Sequence, residues 1–234
     1  MASLSLQPGM SLVEIGPGAG ALTKYLVAIP DIQFHAIEID HEKVVYLENH
    51  YPSLIGHILE LDVLQAPVPF SGAFSVIGNF PYNISTQILF KVLEWESSVT
   101  EVIGMFQKEV AQRIASGPGS KEYGILSVLM QAFFKVEYLF DVHENCFTPP
   151  PKVRSGVIRC TNLHNPFQIE NRRQFTLLVK TAFNQRRKTL RNALKSIFPK
   201  AIPDDALFQK RAEQLSVTDF VFLQSLLQQQ LKNG

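Results

Sequence analysis

Five short apolar runs, interleaved with stretches of helical periodicity, occupy the first half of this chain. The runs are residues 11–15 (SLVEI), 33–39 (QFHAIEI), 56–61, 74–78 (FSVIG) and 101–106. Helical spacing marks residues 19–26, 42–49, 85–93 and 109–115. Runs of this length read as buried strands, and strand–helix–strand crossovers make neighbouring strands parallel. The order therefore predicts an α/β fold, a mainly parallel, doubly wound sheet. A helix is expected over 123–133, then strands over 135–142 and 153–160. Between those strands FTPPPK, residues 147–152, must be an extended loop, because consecutive prolines continue neither a helix nor an inner strand. Two late strands with no helix between them predict an antiparallel pair at the sheet edge.

The pattern changes after residue 162. Phe175, Leu178, Val179, Ala182 and Phe183, then Leu190, Leu194 and Phe198, then Phe220, Leu223, Leu226 and Leu227 repeat at helical spacing, punctuated by Pro199 and Pro203. The reading is two domains, residues 1–162 and a small helical domain over 163–234. Charge divides in a similar way. Residues 1–140 hold 7 Lys and Arg against 14 Asp and Glu, while residues 141–234 hold 15 against 7, a net −7 and +8 behind the overall +1. A basic C-terminal half suggests a polyanionic partner.

Several classes are excluded. The longest uncharged stretch, residues 63–90, is broken by Pro67, Pro69, Gly72, Gly78 and Pro81, so no membrane span is expected. The first ten residues lack the basic and apolar regions of a signal peptide. Two cysteines make no disulfide framework and suit a reducing compartment; Cys146 and Cys160 are expected to be buried. The six histidines show no metal-ligand spacing, and no metal is expected.

Two motifs carry chemistry. Glu14-Ile15-Gly16-Pro17-Gly18-Ala19-Gly20 follows the first strand and opens a helix, and Glu38 ends the next strand. Glycines admit a ligand close to backbone, and a carboxylate at that strand end can accept from ribose hydroxyls. The spacing is GxGxG with a proline inside, not the pyrophosphate-binding GxGxxG, which favours S-adenosylmethionine over a dinucleotide. Glu14 is then expected near the cofactor's ammonium, and Asp62, after the third strand, near its adenine amine. The fold expected is thus a Rossmann-like class I methyltransferase. The second motif, Gly78-Asn79-Phe80-Pro81-Tyr82-Asn83, ends the fourth strand. The Asn79 side-chain oxygen and the Phe80 carbonyl, turned outward by Pro81, can accept both protons of an exocyclic amine, and Tyr82 offers a face to a flipped base.

With residues 79–86, Gln107-Lys108-Glu109-Val110, FTPPPKV (147–153) and AFNQRRKTLRNAL (182–194), the chain from about Val13 onward resembles the ribosomal RNA adenine N6,N6-dimethyltransferases, most closely the small-subunit group. The resemblance implies dimethylation of two adjacent adenosines near the 3′ end of small-subunit ribosomal RNA, in the cytoplasm. The partner would be that RNA or an immature subunit of the 30S type, and the enzyme a monomer. It implies that Asn79 and Tyr82 orient the target base, that Glu38, Asp62 and Asn79 lie at the cofactor, and that Phe147 lies beside the base. Two alternatives share the motifs or fold: a large-subunit dimethyltransferase of the macrolide-resistance type, and a non-catalytic RNA-binding assembly or transcription factor. Family members carry a further Gln-Asn-Phe-Leu segment ahead of the glycine motif. None precedes it here, so the chain is expected to lack the segment that closes over the cofactor. Finally, Arg187, Arg191 and Lys195 are spaced i, i+4, i+8, flanked by Arg186 and Lys188. They are expected to share one helix face and to meet the RNA backbone, which relieves their mutual repulsion.

Overall fold

The computed structural model describes residues 4–5, 7–147 and 153–232. Its seven strands are β1 (Ser11–Ile15), β2 (Gln33–Glu38), β3 (Ile58–Glu60), β4 (Phe74–Asn79), β5 (Val99–Gln107), β6 (Phe134–Val142) and β7 (Ser155–Asn162). They form one sheet in the order β3-β2-β1-β4-β5-β7-β6. The first five are parallel, and β7 runs antiparallel to β5 with Gln107 opposite Ser155. The order reverses between β1 and β4, so the crevice beyond their carboxyl ends is the place where such sheets bind ligands.

Strands β1 and β4 are buried along most of their length because both faces are covered; Glu14 and Ser75 are the polar side chains buried within them. On one face Leu12, Ile77 and Ile103 join Leu26, Phe34, Leu47 and Val157 in a buried cluster. The helices are α1 (Thr23–Leu26), α2 (His41–His50), α3 (Ser85–Glu94), α4 (Lys108–Ala115), α5 (Ile125–Gln131), α6 (Arg172–Asn184), α7 (Leu190–Ala193) and α8 (Val217–Lys232). α1 is shorter than the 19–26 expected. Gly18 and Gly20 have φ of +58° and +80°, which no right-handed helix contains, so the helix starts only at Thr23.

The chain divides into two compact units, Met1–Ala111 with Lys135–Asn162, and Gln112–Phe134 with Leu163–Gly234. Segment 112–134, placed with the first domain from sequence, therefore packs with the C-terminal helices instead. The reason is that its apolar side chains find their partners there: the Tyr123 and Phe183 rings meet edge-on at 6.2 Å, and Arg172 lies over the Phe133 ring at 5.2 Å. No described helix is long and apolar enough to cross a membrane. Cys160 is buried as expected, but Cys146 is exposed, because it lies in a one-turn helix, Glu144–Cys146, outside the sheet.

Candidate active site

The glycine turn is built by hydrogen bonds from β1 to β2. The Gly16 amide donates to the Ile37 carbonyl at 2.9 Å, and the Gly20 amide to the Pro17 carbonyl at 2.9 Å. Glu38, at the end of β2, accepts from three backbone amides: Gly18 at 3.1 Å, Ile39 at 2.9 Å and Asp40 at 3.1 Å. It thereby ties the glycine loop to the strand and keeps about one of roughly four acceptor positions free. A side chain at Gly18 would meet nothing within 4 Å, so the loop stands open beside that residue.

Glu14 is buried on β1 and accepts from the Thr23 hydroxyl at 2.7 Å. Burial lifts its carboxyl from 4.5 to about 7; the Thr23 hydroxyl opposes the rise and the nearby Glu38 charge adds to it. A carboxyl poised in this way changes charge readily when a cation arrives.

A cleft of about 210 Å³ opens beside these groups, walled by Ile15, Ile37, Leu61, Val63, Pro81 and Ile84. Asp62 and Glu38 bring carboxylates to it. Asp62 Oδ1 caps the turn that follows β3, accepting from the Leu64 amide at 2.9 Å. Ile39 also lines the cleft and is 66% exposed, an unusual place for an isoleucine. Sequence reasoning missed it; the available signal was a β-branched residue directly after a strand-ending acid.

The second motif sits at the tip of β4. The Phe80 ring turns inward, fully buried, edge-on to Phe106 at 5.1 Å. It lies over Gly78 and Gly104, which are partners across β4 and β5; a Cβ on either would come within 2.5 Å of the ring. With its side chain anchored inside, Phe80 can offer only its carbonyl to the outside. Asn79 is exposed, and among the described residues no donor reaches its side chain or the Phe80 carbonyl. Pro81 packs toward Gly16, 3.5 Å from where a side chain there would begin, so the two motifs adjoin. Tyr82 is half-buried, and its hydroxyl shares a 2.5 Å hydrogen bond with Ser155 on β7. Thr23 and Ser155 were both missed from sequence. The Tyr82 partner is 73 residues distant along the chain, and no local pattern announces it.

Phe147 is half-buried after the Glu144–Cys146 turn, and residues 148–152 of the FTPPPK loop lie outside the described residues. At the same sheet edge Lys108 and Tyr138 both donate to Asp141. Lys108 and Tyr138 hold the Asp141 carboxyl below its usual range, while burial and Asp141 push Tyr138 up to about 12.

In the second unit the basic segment does not form one helix face. α6 ends at Asn184 and α7 spans only Leu190–Ala193, so residues 186–189 form a turn and the i, i+4, i+8 register is broken. Arg186 donates to the Lys121 carbonyl at 2.7 Å and lies 3.9 Å from Glu213. Arg191 reaches the Pro203 carbonyl at 3.4 Å and Asp204 at 3.5 Å. Arg187, Lys188 and Lys195 are exposed, and their side chains have no ion-pair partner among the described residues.

The model of a family described as ribosomal RNA adenine dimethylase matches residues 1–229. A "Ribosomal RNA small subunit methyltransferase A" from Bacteroides thetaiotaomicron is 51% identical over 232 residues, covering 97% of this chain and 86% of that protein. Among solved structures, a dimethyladenosine transferase from Plasmodium falciparum superposes with a TM-score of 0.80 at 23% identity, covering 96% of this chain and 92% of that one. The 23S rRNA methyltransferase ErmE superposes at 0.68, also at 23% identity, with 95% and 93% covered. These two likenesses are of fold.

Proposed function

The chain belongs to the ribosomal RNA adenine dimethylase family, and from that premise we propose that the glycine turn holds S-adenosylmethionine while the tip of β4 holds an adenine turned out of the RNA. It is an enzyme that dimethylates adenine in small-subunit ribosomal RNA: the family is described as a ribosomal RNA adenine dimethylase, and relatives about half identical over nearly the whole chain are named small-subunit ribosomal RNA methyltransferases. The proposed position is N6. The proposed targets are two adjacent adenosines near the 3′ end, reached in an immature subunit, with the enzyme acting as a cytoplasmic monomer. The first unit carries the chemistry and the second contacts RNA.

The residues fit such a cofactor. The apolar cleft suits an adenine ring, with Asp62 toward its amine; Glu38 has acceptor capacity left for a ribose hydroxyl; the buried Glu14 carboxyl suits an ammonium. When bound, S-adenosylmethionine supplies an electrophilic methyl group on a sulfonium. Everything else falls to the chain. An adenine amine is a poor nucleophile because its lone pair is delocalised into the ring. Acceptance of its two protons by Asn79 and the Phe80 carbonyl favours a tetrahedral nitrogen and frees that lone pair. Tyr82 stacks on the base, and Phe147 is placed beside it. The motif contains no His, Lys or carboxylate, which suits a reaction needing orientation and desolvation more than a strong base.

The observation that carries this reading is the pair of unoccupied acceptors at the β4 tip, adjoining the glycine turn through Pro81 and Gly16. Asn79→Ala should lower kcat for labelled-methyl transfer to immature small subunits by about a hundredfold, the cost of a misplaced reactant. Its cofactor affinity by calorimetry should stay within about twofold of the parent, the signature of an interaction made only during reaction. A kcat within that same narrow margin would remove Asn79 from the orienting role. The intact motif also disfavours a non-catalytic factor. The large-subunit alternative shares the motifs and a likeness of fold, but the relatives about half identical are named for the small subunit.

A further inference from the structure

A buried hydroxyl is costly unless it is bonded. Ser155 is fully buried at the first position of β7, and among the described residues its side chain bonds only to the Tyr82 hydroxyl, at 2.5 Å. The other end of Tyr82 is also fixed: the Ser85 hydroxyl donates to its carbonyl at 3.2 Å, and the Ile84 amide to the Pro81 carbonyl at 3.1 Å. Ser155 in turn cannot drift. It pairs with Gln107 across β5, and Gly156 beside it leaves the space that the Tyr138 phenol fills. Tyr138 is tethered to Asp141, and Asp141 to Lys108.

We infer that Ser155 is a positioning residue for the reaction: through the Tyr82 hydroxyl it sets the angle of the ring on which the target base stacks. The inference rests on the stacking reading of Tyr82 given above. A tyrosine held only through its backbone can rock about its side-chain torsions. One held at its phenol as well presents a single face, and a base stacked on that face keeps its amine aligned with the Asn79 and Phe80 acceptors. The aromatic ring supplies area; the serine supplies orientation.

The test is a double-mutant cycle in the full chain, with Tyr82→Ala as a control. Ser155→Ala and Tyr82→Phe should each lower kcat about fivefold, the size of one neutral hydrogen bond, and the double variant should be no worse than either. Cofactor affinity by calorimetry should be unchanged in all three, which also shows that they fold. Tyr82→Ala should lose more than about tenfold, because stacking itself is gone. With that loss present, single effects that multiply in the double variant, or a Ser155→Ala kcat equal to the parent's, overturn the positioning role and spare the stacking. A Tyr82→Ala kcat equal to the parent's removes the stacking reading and the inference with it.

Discussion

Glu14 shows what a single residue's surroundings decide. The sequence places it before the glycines; only the fold buries it against Thr23 and lifts its carboxyl to about 7. A raised carboxyl pKa means the fold prefers the protonated form. That contribution is fully present below the unfolded value of 4.5 and is lost as pH rises through about 7. Over that window the loss is about 3 kcal/mol as an order of magnitude. Glu14→Gln mimics the protonated form at every pH. Its thermal midpoint should match the parent's at pH 5 and exceed it at pH 8, by calorimetry; a gap that does not widen with pH would show that Glu14 does not titrate in this range. The same proton governs binding. If the ionised carboxylate receives the cofactor's ammonium, the parent's affinity for S-adenosylmethionine should fall as pH drops below about 7, approaching tenfold per unit. Glu14→Gln should bind weakly with no such slope.

At the scale of elements, the β4 tip depends on two glycines that belong to no recognisable turn. Gly78 and Gly104 face each other across β4 and β5 so that the Phe80 ring can lie over both. Gly104→Ala puts a methyl group within 2.5 Å of the Phe80 and Phe106 rings. Overpacking of this kind costs about 1–3 kcal/mol. The displaced ring should also swing the Asn79–Tyr82 backbone, so kcat should fall more steeply than the thermal midpoint alone would suggest. A variant that loses stability but keeps the parent's kcat would show that Phe80 does not hold the acceptors in place. Such packing is invisible along the chain, whereas the strands themselves were legible. β1 was readable to its ends because its apolar residues Leu12, Val13 and Ile15 are bounded by the Pro8-Gly9 turn and the glycine motif, even with Glu14 among them. The start of α1 was not, because helical spacing in residues 19–26 says nothing about the φ of Gly20. The places of Asn79 and Glu38 could be read because each ends a parallel strand, β4 and β2, at the carboxyl edge of the sheet. Ser155 and Thr23 could not, because their function is a contact across the fold.

At the scale of the whole molecule, the charge split follows the units rather than the midpoint of the sequence. The unit Met1–Ala111 with Lys135–Asn162 holds 8 Lys and Arg against 15 Asp and Glu; the unit Gln112–Phe134 with Leu163–Gly234 holds 14 against 6. Those are nets of −7 and +8, so each unit presents a single sign on balance. Within the basic unit the five residues singled out from sequence divide by what they touch. Arg186 and Arg191 are engaged with carbonyls and carboxylates of their own unit and serve its packing. Among the described residues Arg187, Lys188 and Lys195 stand exposed without ion-pair partners, and they are the three proposed to meet phosphates. Replacing these three by alanine should leave the thermal midpoint near the parent's and weaken RNA binding. The slope of log affinity against log salt should fall by about 2–3, the release of roughly one counterion for each lost phosphate contact. Arg186→Ala should do the reverse, lowering the midpoint while the slope changes by about one at most. Filter binding between 50 and 200 mM salt, a range of about this width being where such slopes are resolved, reads both. A triple variant with the parent's slope would mean that the phosphates are met by other residues of the basic unit, and that the broken helix at 186–189 serves only to join α6 to α7.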